Sequence, residues 1–152
     1  MCRGQKARLT PVRNRKDQVT GYVLHYPDEA DPNFAAIVHE LAHAFQVETA
    51  GGWDKFFAGG RESLSMELGA DYLTGAVFQN LKPQPNANLF AHYLAAYAIY
   101  FETADAHGEP AQRNAAFRLG LKSRDYETLG SYSRMEARFE DDVLPGLKVW
   151  AK

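Results

Sequence analysis

Apolar positions change period along this chain, and each change marks an element. Val19 to Tyr26 (VTGYVLHY) is rich in β-branched and aromatic residues and stops at Pro27-Asp28. It reads as a strand, with a shorter one expected around Arg8 to Val12. From Phe34 the period becomes helical: Phe34, Ile37, Val38, Leu41, Phe45 and Val47 share one face. Asp31-Pro32 supplies a cap and a first-turn proline, and Gly51-Gly52 stops the helix. Residues 50–60 (AGGWDKFFAGG) read as a loop pinned to the body by Trp53, Phe56 and Phe57, or else as a mobile lid.

A second helix is predicted from about Arg61 to Leu81. It is apolar on most sides, which places it centrally. After the turn Pro83 to Asn88, a third helix reaches about Ala106, with Phe90, Leu94, Tyr97 and Phe101 on its buried face. His107-Gly108-Glu109-Pro110 breaks the chain and restarts it as a fourth helix, Ala111 to Lys122. Short helical pieces fill Asp125 to Val143, and Pro145 is expected to end them. The fold class is therefore α+β, mostly helical, with one or two N-terminal strands. With no repeat and no long linker, residues 19–152 read as one domain behind a basic arm, residues 1–18.

The arm comes from the charge pattern. Residues 1–17 hold six cations against Asp17 alone, a balance of +5, which leaves −7 on the rest of a chain whose net charge is −2. An acidic body and an arm without interleaved aromatics argue against a nucleic-acid binder. The arm reads as a solvated tail. At 152 residues the chain can bury a core without disulfides, and its one cysteine, Cys2, cannot form an intrachain bridge. No apolar run is long enough to span a bilayer, and none has the form of a signal peptide. A cytoplasmic protein is expected.

The chemistry lies on the first helix, in His39-Glu40-Leu41-Ala42-His43. Residues four apart on a helix project about 40° apart and one turn along, so both imidazoles can reach one metal ion. Glu40 projects about 100° from His39, where it can act as a base without ligating. On the second helix, Glu67 and Asp71 share a face in an otherwise apolar segment. Buried carboxylates need a partner, and a two-histidine zinc site needs a third ligand. Glu67 is the favoured third ligand, with Glu48, Glu62, His25, His92 and His107 as competitors. Asp71 is placed to accept a ligand histidine's free ring N–H. Gly69 and Gly75 would let this helix lie close to a neighbour.

His39 to Gln46 (HELAHAFQ), Glu67 to Gly75 (ELGADYLTG) and His107 to Arg113 (HGEPAQR), with Phe117, Gly120 and Asp125, resemble a known family: the bacterial neutral zinc metallopeptidases. Their pattern is HExxHxxQ, then E-L-x-A-D, then H-G-x-P-x-x-R. The resemblance implies a zincin-like fold. It implies His39, His43 and Glu67 as zinc ligands, Glu40 as base, and His107 as a candidate donor to the oxyanion. Tyr93, Tyr97, Tyr126 and Tyr132 are further candidates for that last role. Tyr72 stands where the family usually has a cysteine. Regulatory metallopeptidases that cleave repressors share HExxH and a later glutamate helix, but not the His107 segment.

The expected function is zinc-dependent hydrolysis of a peptide or protein substrate. A peptide would be held extended on the Val19 to Tyr26 strand beside the metal. The rivals are a zinc-binding regulatory module without turnover and a closed structural zinc site. Structural sites favour thiolates, and the cluster has none nearby.

Overall fold

The computed structural model describes residues 8–25, 34–58, 63–81, 108–123 and 132–148. Two strands, β1 (Arg8–Arg13) and β2 (Val19–His25), form an antiparallel hairpin in which Leu9 faces Leu24 and Pro11 faces Tyr22. Four helices follow among the described residues: α1 (Phe34–Thr49), α2 (Trp53–Ala58), α3 (Ser63–Leu81) and α4 (Pro110–Lys122). The last described segment is α5 (Tyr132–Arg138), a π-helical turn (Phe139–Val143) and α6 (Leu144–Lys148). The molecule is mostly helical α+β, as the periodicity implies. No helix among the described residues is long and apolar enough to cross a membrane.

α3 is the central element. Every residue from Leu68 to Ala76 is buried, Gly69 and Gly75 among them. Leu68, Tyr72, Leu73 and Ala76 form one core with Ala42 of α1, Ala116 of α4, and Met135, Phe139, Leu144 and Leu147 of the last segment. The α3–α4 crossing is unusually close. A Cβ at Gly75 would run into the Phe117 carbonyl, and one at Gly120 into the Tyr72 carbonyl. Only glycine lets the two backbones meet there.

Three local expectations need correction or lie elsewhere. Residues 53–58 are helical, not a loop: the Phe56 N–H closes a turn on the Gly52 carbonyl, and Phe56 is buried. A six-residue helix between glycine pairs is too short to display a period. Pro145 does not end the C-terminal helices but lies inside α6. The Leu144 N–H returns to the Phe139 carbonyl, five residues back. This wider turn precedes the proline, which is tolerated in the first turn of a helix. The expected third helix, together with Glu62, His92, Tyr93, Tyr97, His107 and Tyr126, lies outside the described residues.

The hairpin sets one more feature. Pro11 has no N–H to give, so its nitrogen faces away from β2. Alternation then turns the Leu9 N–H and carbonyl outward as well. That outer edge of β1 faces α1, where the Leu9 N–H donates to the Glu40 carboxylate. An ion pair from Arg13 to Asp54 at 2.7 Å ties the hairpin to α2. Residues 8–13 of the basic segment are thus a strand packed on the body, not a solvated tail.

Candidate metal centre

α1 and α3 lie side by side and bring three donors together. Ligating atoms of His39, His43 and Glu67 all lie within 4.8 Å of one another. Glu67 Oε2 is 3.0 Å from His39 Nε2 and 3.5 Å from His43 Nε2. The two imidazoles meet edge to face, with ring centroids 4.7 Å apart. Helical spacing explains the arrangement: the histidines stack one turn apart on α1, and Glu67 opposes them from the second turn of α3.

What the other ring nitrogens touch decides which atoms point at the group. His39 Nδ1 lies 2.9 Å from Asp71 Oδ1, one turn beyond Glu67 on α3. His43 Nδ1 lies 2.9 Å from Gln46 Oε1. The Gln46 amide Nε2 donates to the Met66 carbonyl at 3.0 Å, so Oε1 is the acceptor for His43. Both Nδ1 atoms therefore face acceptors. This favours the tautomer that carries the proton on Nδ1 and offers the Nε2 lone pair inward. Two imidazole nitrogens and a carboxylate oxygen make a group that could hold a metal ion.

Asp71 is itself held. Arg113 of α4 places Nε 2.8 Å from Asp71 Oδ2 and Nη2 3.0 Å from Oδ1. Both side chains are buried, Asp71 at 0% exposure and Arg113 at 2%. Burial by itself would push the Asp71 carboxyl up, but His39 and Arg113 outweigh it and hold it below its ordinary value.

Electrostatics elsewhere follow from the same contacts. Burial would lower His39, yet Asp71 and Glu67 on its two sides raise it from 6.5 to about 9 in the metal-free protein. Glu67 is opposed by burial but driven well below the usual carboxylate range by the two histidines. Glu40 is 7% exposed, and burial raises its carboxyl against the pull of the neighbouring histidines.

Glu40, His43 and Glu67 also line a cavity of about 200 Å³, together with Arg8 and Leu9 of β1, Val47 of α1, Trp53, Phe56 and Phe57 of α2, and Met66 of α3. It is β1, rather than the expected β2, that supplies the strand residues of this wall. Trp53 and Phe57 pack with ring centroids 4.7 Å apart, and Phe56 and Phe57 at 5.1 Å.

The sequence-predicted residues are thus partly reunited. His39, His43 and Glu67 form one group, and Asp71 and Glu40 adjoin it. The competing Glu48 instead accepts from the Tyr22 hydroxyl at 2.9 Å, and His25 pairs with Thr10 in the hairpin. Residue-by-residue reading missed the contacts of Gln46 and Arg113. Gln46 lies three residues after His43, a spacing that makes helical neighbours. Arg113 is one of the residues in the segment that resembles H-G-x-P-x-x-R. No protein-family model matches the chain, and no curated protein or solved structure matches it.

Proposed function

We propose that the protein is a zinc-dependent peptidase of zincin-like type, whose one domain takes in the β1 strand as well as residues 19–152. The observation that carries this reading is the convergence of His39, His43 and Glu67 beside a buried Glu40 that lines the same cavity. The resemblance to the bacterial neutral zinc metallopeptidases supports it. The ligands are His39 Nε2, His43 Nε2 and a Glu67 oxygen, a nitrogen and oxygen set that also accepts cobalt or nickel. A zinc ion held there supplies Lewis acidity and lowers the pKa of a water.

The chain's own residues supply the rest. Glu40 is a base whose carboxyl is raised by burial, which moves it toward the range useful near neutral pH. The Leu9 N–H steadies its carboxylate. Glu40 takes a proton from the attacking water and delivers it to the leaving amine. The cavity, walled in part by Val47, Trp53, Phe56, Phe57 and Met66, receives an apolar side chain of the substrate next to the scissile bond. His107 is retained as the candidate oxyanion donor on the resemblance alone.

A second reading, a zinc-binding module without turnover, is favoured by the sheet, which has two strands among the described residues and is small there for holding an extended peptide. One substitution separates the two. In Glu40→Gln the shape is kept and the base is lost. The variant is expected to hold one zinc per chain and to lose about 10²-fold or more in kcat, with KM little changed. Metal analysis paired with peptide hydrolysis checks this. Wild-type activity that survives in the Gln variant within a few-fold removes Glu40 as the base. A fully zinc-loaded wild type that hydrolyses no peptide favours the module.

A further inference from the structure

We infer that Arg113 is a positioning residue of the metal centre: it fixes the Asp71 carboxylate, and through it the orientation in which His39 presents Nε2. The inference rests on the metal-binding reading and goes beyond the ligands it names.

The geometry forms a continuous line. Arg113 holds Asp71 through two bonds, Nε to Oδ2 at 2.8 Å and Nη2 to Oδ1 at 3.0 Å. Asp71 Oδ1 lies 2.9 Å from His39 Nδ1. His39 Nε2 lies 3.0 Å from Glu67 Oε2. A carboxylate that meets only an imidazole can still rotate about its last torsion. A planar guanidinium bound at two points sets the plane of the carboxylate, which a point charge does not. The position of the Asp71 oxygen 2.9 Å from Nδ1 is then fixed, and with it the ring plane of His39.

The backbone is built to deliver this arginine. Arg113 sits in the first turn of α4, and its N–H bonds to the Glu109 carbonyl at 3.1 Å. Glu109 caps the helix reciprocally with Gln112, and Pro110 opens it. Gly108 just before has φ 114, a conformation that favours glycine, and a Cβ there would press on Leu64. One turn further, Phe117 meets Gly75 at the close α3–α4 crossing. Asp71 and Gly75 are four apart on α3, as Arg113 and Phe117 are on α4. The backbone contact and the ion pair therefore fall on the same two faces. This assigns a physical task to Gly108, Pro110 and Arg113.

A purely structural role would be neutralisation of a buried aspartate, and the test separates it from positioning. Zinc affinity is measured by competition with a chromophoric chelator, and the absorption bands of the cobalt-loaded protein report ligand geometry. Metal-free melting temperature is followed alongside. Arg113→Lys keeps the charge and loses the fork. It is expected to weaken zinc binding about 10–100-fold and to move the cobalt bands. Arg113→Met is expected to do at least as much. The double variant Arg113→Met/Asp71→Asn should be no weaker than the poorer single variant, because both act through one contact.

Wild-type zinc affinity and an unchanged cobalt spectrum in Arg113→Lys, even with a lowered melting temperature, would overturn the inference. Should the variants fail to fold, the Arg113 Nε–H resonance of the wild-type protein decides. It is expected to shift on zinc loading, and an unmoved resonance counts against the line. Wild-type protein that binds no zinc at all would instead remove the metal reading.

Discussion

The two histidines of the candidate centre sit four residues apart on one helix, yet they occupy opposite kinds of surroundings. His39 is 1% exposed and is flanked by the carboxylates of Asp71 and Glu67, with Arg113 behind Asp71. His43 is 17% exposed, lines the cavity and gives its Nδ1 to a neutral amide, Gln46. The inner side of the group is held by charge in the buried core. The outer side is held by one neutral hydrogen bond next to open space. A metal site that must be both rigid and accessible divides in this way: the precision comes from the inner half, and the access from the outer.

Glu67 belongs to both halves, since it approaches His39 and His43 with the same oxygen. Its removal is therefore expected to have the largest effect. Glu67→Ala should lose stoichiometric zinc, while Glu48→Ala, whose carboxylate serves Tyr22, should keep it. Metal analysis after gel filtration reads both. A Glu67 variant that retains one zinc would mean that the two halves do not share this ligand.

The comparison itself is tested by the residues behind each histidine. Asp71→Asn can still accept from Nδ1 but carries no charge for Arg113. It is expected to weaken zinc toward the 100-fold end of the range for such supporting groups. Gln46→Ala removes the neutral acceptor of His43 and the donor to the Met66 carbonyl, and should fall toward the 10-fold end. Equal losses, measured by chelator competition, would erase the distinction between a charged and a neutral support.

The same contrast explains what the sequence could reveal. Residues on one helix at spacing four can be related by counting, so His39 with His43 and Glu67 with Asp71 were both legible. So was α3 as the central helix, because apolar residues lie on every side of it. The Asp71–Arg113 pair joins residues 42 apart across two helices, and no local period encodes such a contact. The sequence of α2 reads as a loop because its flanking glycines are plain and a six-residue helix is too short to show a period. Composition predicts β1 as a strand, but its place in the cavity wall depends on how the hairpin packs against α1, which alternation alone does not fix.

A smaller effect sharpens the inner half. In the metal-free protein His39 is raised from 6.5 to about 9, so its proton stabilises the fold. That contribution is complete below about pH 6.5 and is lost as pH rises through about 9. Glu67 is lowered from 4.5, so its contribution is present above that value and fades as acid protonates it. Metal-free melting temperature is therefore expected to peak between these limits and to decline toward pH 9. Zinc must displace the His39 proton. At pH 7, calorimetry in buffers of different ionisation enthalpy should therefore record about one proton released per zinc. Release near zero would mean that His39 is already neutral between its two carboxylates.

The smallest expected effect lies on the outer half, at Phe57. This side chain is 50% exposed and lines the cavity, while the buried Phe56 beside it anchors α2. Substitution of an exposed residue away from caps and buried networks typically changes stability by no more than about 0.5 kcal/mol. Phe57→Ser touches none of the contacts that orient His39, His43 or Glu67. Zinc affinity should therefore stay within about two-fold of wild type. If the cavity receives an apolar side chain, KM for a peptide with leucine beside the scissile bond should rise several-fold, because a pocket contact of this size is worth about 1–3 kcal/mol at most. With alanine at that position KM should hardly change, since the shorter side chain does not reach the aromatic wall. A serine variant that loses zinc would show that α2 supports the metal group as well as the cavity, and the outer half would then be less independent of the inner than its geometry implies.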